Sequence, residues 1–178
     1  VVEYSTDVNG EVLFTIPINE TIHGIVIDSE GNIYITTNQG IYSFTDKGAA
    51  RWNFTSSDVT GNFSASVIGR DVIITPKSGD TLYFINQTTG EKYGSSNIYQ
   101  ASSILSPIID SNANLYILSE LNVDTNSYRL VKVPYKLWEN GGDAVLLDFG
   151  KYEPIAFSVT DDYIAVLFDG RIRLIDAK

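Results

Sequence analysis

Apolar and polar residues alternate with a period of two through most of this chain. Residues 41–46 read Ile-Tyr-Ser-Phe-Thr-Asp and 81–86 read Thr-Leu-Tyr-Phe-Ile-Asn. Tyr42 with Phe44, and Tyr83 with Ile85, therefore fall on one side of an extended backbone. No stretch sustains the spacing of an amphipathic helix. The nearest, 134–142, ends in Gly-Gly and reads as a long turn.

The strands recur as a unit. Residues 27–35 (IDSEGNIYI) and 109–117 (IDSNANLYI) carry nearly the same text, in which a short apolar strand enters a polar turn and a second strand leaves it. Weaker copies span 64–76, turning at Gly69-Arg70, and 155–168, turning at Asp161-Asp162. The first residues after the four turns, Asn32, Asp71, Asn114 and Asp162, are spaced 39, 43 and 48 apart, which is the period of propeller blades. A third strand follows each pair, at 41–46, 81–86, 128–133 and 171–176; a fourth follows at 50–55, 91–96 and 144–149.

The expected fold is all-β, a β-propeller of about four four-stranded antiparallel blades. Repeats arranged about an axis keep their edges short and protected, whereas a solenoid needs capping ends. A single domain is expected, with a strand pair at 1–18 and blades at about 19–56, 57–98, 99–150 and, incomplete, 151–178. The chain opens on a third-and-fourth-strand pair and stops where a turn glycine and a fourth strand are due. Two arrangements satisfy this. In one, a small ring closes on four blades with 11–16 as the missing strand, which removes an open edge. Val1, Val2, Glu3, Tyr4, Ser5 and Thr6 then form a spare strand able to add to a neighbouring sheet. In the other, the chain is a segment of a larger ring or tandem array.

The turn between third and fourth strands, SFTDKGAARW (43–52), resembles the repeat of the pyrroloquinoline-quinone-dehydrogenase-like propellers, where a small residue, Asp and Thr-Gly precede a Trp. Residues 3–14 and 83–93 look like further copies. Asp46 matches the Asp, Gly48 arrives one residue early, Trp52 alone keeps the Trp, and Phe14 and Tyr93 stand in elsewhere. The resemblance implies that Trp52, Phe14 and Tyr93 dock each blade on its neighbour while Asp and Gly shape the turn. It concerns blade structure and implies no activity. Quinone enzymes of that family use a larger ring with dedicated ligands and often a vicinal disulfide; this chain has no cysteine, and no cofactor is expected.

Composition narrows the function. Eleven Tyr and eight Phe against two Trp, with abundant Ile, Val and Thr, suit half-buried strands. A net charge of −10 with scattered Lys and Arg repels phosphate backbones and anionic headgroups, so nucleic acid is not an expected partner. No apolar run approaches the roughly 20 residues that cross a bilayer as a helix, so no membrane insertion is expected. Without cysteine there is no disulfide, thiolate metal site or Cys nucleophile. The sequence begins without Met and is read as a processed or excised piece.

Candidate chemistry is sparse. His23 is the single histidine, so a His-rich metal site is excluded and a Ser-His-Asp triad has one base available, with no Gly-x-Ser-x-Gly nucleophile elbow anywhere. Asp28, Glu30 and Asn32, and again Asp110, Asn112 and Asn114, place side-chain oxygens at alternate positions as calcium loops do. Neither stretch has the sixth-position Gly or twelfth-position Glu of such a loop, and the same residues favour tight turns for backbone reasons; 124–127 is a weaker candidate, and no metal is assigned. Asp161, Asp162, Asp58, Glu139 and Asp143 are the carboxylates available to a glycosidic pair, all in expected turns; no catalytic residue is assigned. Asn19, Asn53, Asn62 and Asn86 each open an Asn-x-Ser/Thr sequon in a turn or strand end.

The expected function is a non-catalytic propeller outside the cell or on its surface, acting as a structural and protein-interaction module within a larger assembly or filament. The alternatives are a hydrolase-like enzyme with its site at the propeller's channel mouth, built on His23 and nearby carboxylates, and a periplasmic assembly scaffold.

Overall fold

The computed structural model describes residues 2–5, 12–55, 63–68, 71–76, 81–97, 101–104, 107–121, 127–134 and 144–177. Among these residues every regular element is a strand, eighteen in all, and every pairing is antiparallel between sequence neighbours or near-neighbours. Two strands form the first sheet, β1 (Val2–Ser5) and β2 (Val12–Ile16). The second runs β3 (Ile22–Ile27), β4 (Ile33–Thr37), β5 (Gly40–Phe44) and β6 (Ala50–Thr55) in chain order. β7 (Phe63–Ile68), β8 (Asp71–Pro76), β9 (Thr81–Asn86) and β10 (Lys92–Asn97) make the third in the same way.

The fourth sheet departs from the sequence expectation. Its first strand is split into β11 (Ala101–Ile104) and β12 (Ile108–Ile109), both paired to β13 (Leu115–Leu121). Pro107 stands between the two pieces, and a proline has no N–H to give to the ladder. β14 (Ser127–Val133) and β15 (Ala144–Gly150) complete that sheet. The fifth has three strands, β16 (Ala156–Val159), β17 (Tyr163–Phe168) and β18 (Arg171–Asp176).

Strands inside the stack lose the half-polar alternation because both faces are covered. Ile33, Tyr34 and Ile35 on β4 are consecutive and all buried, as are Leu82 to Ile85 on β9. Four apolar clusters join the sheets in chain order. Phe14 and Ile16 meet Ile33, Ile35 and Phe44; Tyr34 and Ile41 meet Tyr83 and Ile85. Leu82 and Phe84 meet Leu115, Ile117, Val131 and Val133; Tyr116, Leu118 and Phe149 meet Ile164, Val166 and Phe168. The leading strands of successive sheets lie beside one another, β3 by β7, β7 by β12 and β12 by β16. The sheets therefore fan out from a shared inner side.

Two expectations about the chain ends need correction. Residues 12–16 do not supply a fourth strand to the last sheet: β2 pairs with β1, and β18 pairs with β17 alone among the described strands. β1 precedes β2 by a short link, so the antiparallel pair forms there at little loop-closure cost, while Phe14 and Ile16 pack on the second sheet. Nor is the opening segment spare. Val2, Glu3, Tyr4 and Ser5 form β1, registered on β2 from Val2↔Ile16 to Ser5↔Val12; Val1 and Thr6 lie outside the described residues. None of the four clusters joins the first sheet to the fifth. Gly69, Arg70, residues 124–126 and 135–142 also lie outside the described residues.

Candidate functional site

The echoing text builds one turn twice. Asp28 Oδ1 accepts the N–H groups of Glu30 (2.9 Å) and Asn32 (2.8 Å), while Oδ2 accepts the Asn32 amide (2.9 Å) and the Tyr34 hydroxyl (2.9 Å). Asp110 does the same for Asn112 (2.9 Å) and Asn114 (2.8 Å), for the Asn114 amide (2.8 Å) and for the Tyr116 hydroxyl (3.1 Å). The repeated pattern Asp-x-x-x-Asn-x-Tyr is thus a turn closed by its own side chains. Gly31 (φ 84°) and Ala113 (φ 64°) occupy the same left-handed position, which glycine adopts freely and alanine only at a cost.

These bonds decide what the carboxylates can do. The groups facing Asp28 and Asp110 are N–H and O–H donors, whereas a calcium ion asks for six or more oxygens. Glu30, Asn112 and the amides of Asn32 and Asn114 contribute N–H donors to the turns, not an oxygen cage. No cluster of His, Cys, Asp and Glu able to hold a metal occurs among the described residues. Burial pushes the Asp28 carboxyl up, but hydrogen bonds from the Asn32 side chain and backbone, Tyr34 and Glu30 outweigh it and leave the group below its ordinary 3.8. Asp110 is lowered from the same balance.

A depressed carboxyl stabilises the fold above its unfolded value and loses that contribution as pH falls through the folded one. Melting temperature should therefore hold down to about pH 5 and fall steeply below about pH 4. Asp28→Ala should destabilise by roughly 2 kcal/mol at neutral pH, since it strands several donors, and should flatten the acid limb. An unchanged acid limb in this variant would remove Asp28 as a source of the pH dependence.

A second polar cluster bridges sheets two and three. Gln87, in the turn after β9, donates its side-chain amide to Asp28 Oδ2, and its carbonyl accepts from Trp52 Nε1 (2.8 Å) and Arg51 (3.3 Å). Arg51 also donates to the Tyr34 hydroxyl and Ser43 Oγ, both at 3.1 Å. The fourth and fifth sheets repeat the idea more simply: Lys132 reaches the Ala177 carbonyl (3.4 Å), and Ser111 Oγ donates to Asp161 Oδ2 (2.7 Å). Within sheet two, Glu20 accepts from Thr37 and Tyr42; the bond to Glu20 and burial push the Tyr42 hydroxyl up to about 12. Gln87, Arg51 and Glu20 escape sequence reasoning because most of their partners lie 17 to 59 residues away.

The aromatic residues sit where sheet meets turn. The Trp52 ring covers Gly90 and the Phe14 ring covers Gly48, so closely that a Cβ on either glycine would stand 2.6 Å and 2.7 Å from ring carbon. Tyr93 behaves differently. It is 47% exposed, and its ring lies 6.1 Å from Phe84 of its own sheet. Four residues past the turn glycine, the place held by Trp52 in sheet two, sheet three has Gly94; Tyr93 is one residue short, beside the Phe84 ring that packs on the fourth sheet.

The remaining candidates stay apart. His23 is exposed on β3, Asp161 and Asp162 are exposed in the β16–β17 turn, and Asp58, Glu139 and Asp143 lie outside the described residues. Asn19 and Asn53 are exposed, whereas Asn86 Oδ1 accepts the N–H groups of Thr88 (2.9 Å) and Thr89 (3.0 Å); Asn62 lies outside the described residues.

Successive antiparallel sheets, joined face to face with their leading strands innermost, define the architecture. It is a β-propeller. The fold aligns with BamB from Moraxella catarrhalis at 17% identity, over 94% of this chain and 50% of that one, with a TM-score of 0.64. It aligns with the β-propeller domain of Cps50 (Swd1) from Myceliophteria thermophila at 14% identity, over 93% and 55%, TM-score 0.66. The computationally designed Ika4 protein matches at 15% identity over 95% of this chain and 99% of its own, TM-score 0.68. The chain thus spans about half the length of BamB and of the Swd1 domain. No protein-family model and no curated protein matches the sequence.

Proposed function

We propose that this chain is a non-catalytic propeller segment that binds other proteins, as part of a larger assembly outside the cell or at its surface. What carries the reading is the division between buried and exposed groups. Asp28, Asp110 and Asp161, three of the carboxylates singled out in the sequence, are engaged in turns and sheet joints. Solvent meets large apolar side chains instead, among them Val12, Leu13, Ile155, Tyr163, Ile172 and Leu174. Exposed apolar groups of this kind are what proteins use to meet one another.

The likeness of 43–52 to quinoprotein-type repeats supports the same reading, because it concerns blade docking alone. The surface location is supported by Asn19 and Asn53, exposed at the heads of Asn-x-Thr sequons where a glycan has room to project. Cross-linking of the natural protein in place should join residues 171–176 to another polypeptide chain; a pattern with no such link would remove the binding reading. Intact-mass analysis of the same material should show glycan mass released from Asn19 or Asn53. Unmodified asparagine at both would remove the support for an exported protein.

A further inference from the structure

We infer that Arg129, in the joint between the third and fourth sheets, receives a carboxylate side chain from a partner protein. The inference rests on the protein-binding reading above and names the chemistry of one contact.

A regular ladder places this arginine. β13 and β14 pair without a shift from Leu115↔Val133 to Leu121↔Ser127, and within that run Ser119 stands opposite Arg129. Leu115, Ile117, Val131 and Val133 meet Leu82 and Phe84 of the third sheet, so alternation turns Ser119 and Arg129 to the same side. Both are buried, Ser119 at 1% and Arg129 at 6% exposure. The guanidinium donates from Nε to Ser119 Oγ at 3.2 Å. Its Nη2 is buried without a hydrogen-bond partner, the one side-chain nitrogen or oxygen so placed among the described residues. The neighbouring acids of the sheet are committed elsewhere. Asp148, opposite Arg129 on β15, is exposed and accepts the Gly150 N–H at 2.7 Å, and Glu120 alternates to the other face of β13. A buried guanidinium lacking an acceptor is destabilising by itself, and a carboxylate is the acceptor that its planar fork fits.

The second sheet shows what this corner holds when the chain supplies the acid. Ile22 pairs with Thr37 as Ile104 pairs with Ser119, and Ile35 pairs with Tyr42 as Ile117 pairs with Val131. Thr37 and Ser119 therefore correspond, as do Gly40 and Arg129. Two residues before Ile22 comes Glu20, whose carboxylate accepts from Thr37 and Tyr42. Two residues before Ile104 the sequence has Ser102, and Val131 stands in place of Tyr42. The fourth sheet thus lacks the acid of its own repeat and has gained a cation at the same corner.

The joint is also lighter on its outer side. The Thr45 N–H to the Ala49 carbonyl and the Asn86 N–H to the Glu91 carbonyl close equivalent turns, so Ser43 corresponds to Phe84 and Ile41 to Leu82. Their neighbours on the outer strands are Trp52 and Phe54 in the second sheet, but Gly94 and Ser96 in the third. Two rings that pack the preceding joint have no counterparts here, and a side chain from outside has its way in from that edge.

The test follows the Arg129 Nε–H signal of the 178-residue chain by nuclear magnetic resonance at constant ionic strength. The probe is the amide of N-acetyl-aspartic acid; the amide of N-acetyl-asparagine, equal in shape and uncharged, is the control. The aspartate probe should shift the signal saturably and raise the melting temperature, and the asparagine probe should do neither. Arg129→Met should melt above the wild type, because the unmet charge is gone, and should lose the response to the aspartate probe. A signal that ignores both probes, or shifts equally with each, would overturn the inference. So would an Arg129→Met protein that melts below the wild type, since the guanidinium would then be satisfied within the chain. Any of these leaves the broader binding reading standing, since that one is decided by cross-links formed in the natural setting.

Discussion

Trp52→Ala should lower the unfolding free energy by about 3 kcal/mol, read from denaturant curves with an unchanged slope. The ring covers the Gly90 turn of the neighbouring sheet, lies 5.8 Å from the Tyr34 ring, and donates its Nε1–H to the Gln87 carbonyl at 2.8 Å. Truncation removes a large aromatic from a joint and strands that carbonyl. The figure sits at the low end for tryptophan because the side chain is only partly buried. For a chain of this size, that corresponds to a drop in melting temperature of roughly 6–12 °C. Trp52→Phe keeps most of the contact and loses the hydrogen bond, so about 1 kcal/mol is expected. A change near zero for the alanine variant would mean that the joint does not depend on this ring.

Gly90→Ala should cost a similar amount, about 3 kcal/mol, for two separable reasons. The backbone there has φ 73°, a left-handed conformation that disfavours any Cβ by roughly 1–2 kcal/mol. The added methyl would also stand 2.6 Å from Trp52 Cδ2, forcing the ring out of place. Combining the substitutions separates the two. In the Trp52→Ala background the clash is gone, so Gly90→Ala should cost only about 1 kcal/mol, a coupling of roughly 2 kcal/mol between the sites. Equal costs in both backgrounds would show that the strain lies wholly in the backbone and that ring and glycine do not touch.

These two residues also mark how far a repeat can be read from text. Trp52 and Phe14 stand four residues past Gly48 and Gly10, and that spacing places an aromatic on the outer strand beside a turn. The third copy shows the limit. Tyr93 lies near the same place in the sequence, but one residue short of the position that Trp52 holds. Its register also shifts between Lys92 and Gly94, which alternation alone does not reveal. Likewise, the short apolar strand entering the second echoing turn is reduced to two paired residues after Pro107, with a separate piece at Ala101–Ile104.

The candidate site divides the same way. Asp28 and Asp110, with Asn and Tyr four and six residues on, are a local motif, and local hydrogen bonds follow from short loops and fixed backbone geometry. The text leaves open whether their oxygens face a cation or their own turn; in the structure they accept from N–H and O–H donors of that turn. Gln87 is a polar residue in an unremarkable turn until its neighbour sheet brings Asp28, Arg51 and Trp52 to it.

Sequence by itself determined the all-strand fold, the period of its sheets and the chemistry of its turns, because period-two alternation and turn residues act over distances of a few residues. Only the tertiary structure decided that β2 belongs with β1 and leans on the second sheet, and that the carboxylates close turns. Those outcomes depend on which faces meet across tens of residues, where side chains such as Phe14 and Ile16 find the sheet they pack on, and a local pattern does not specify that partner.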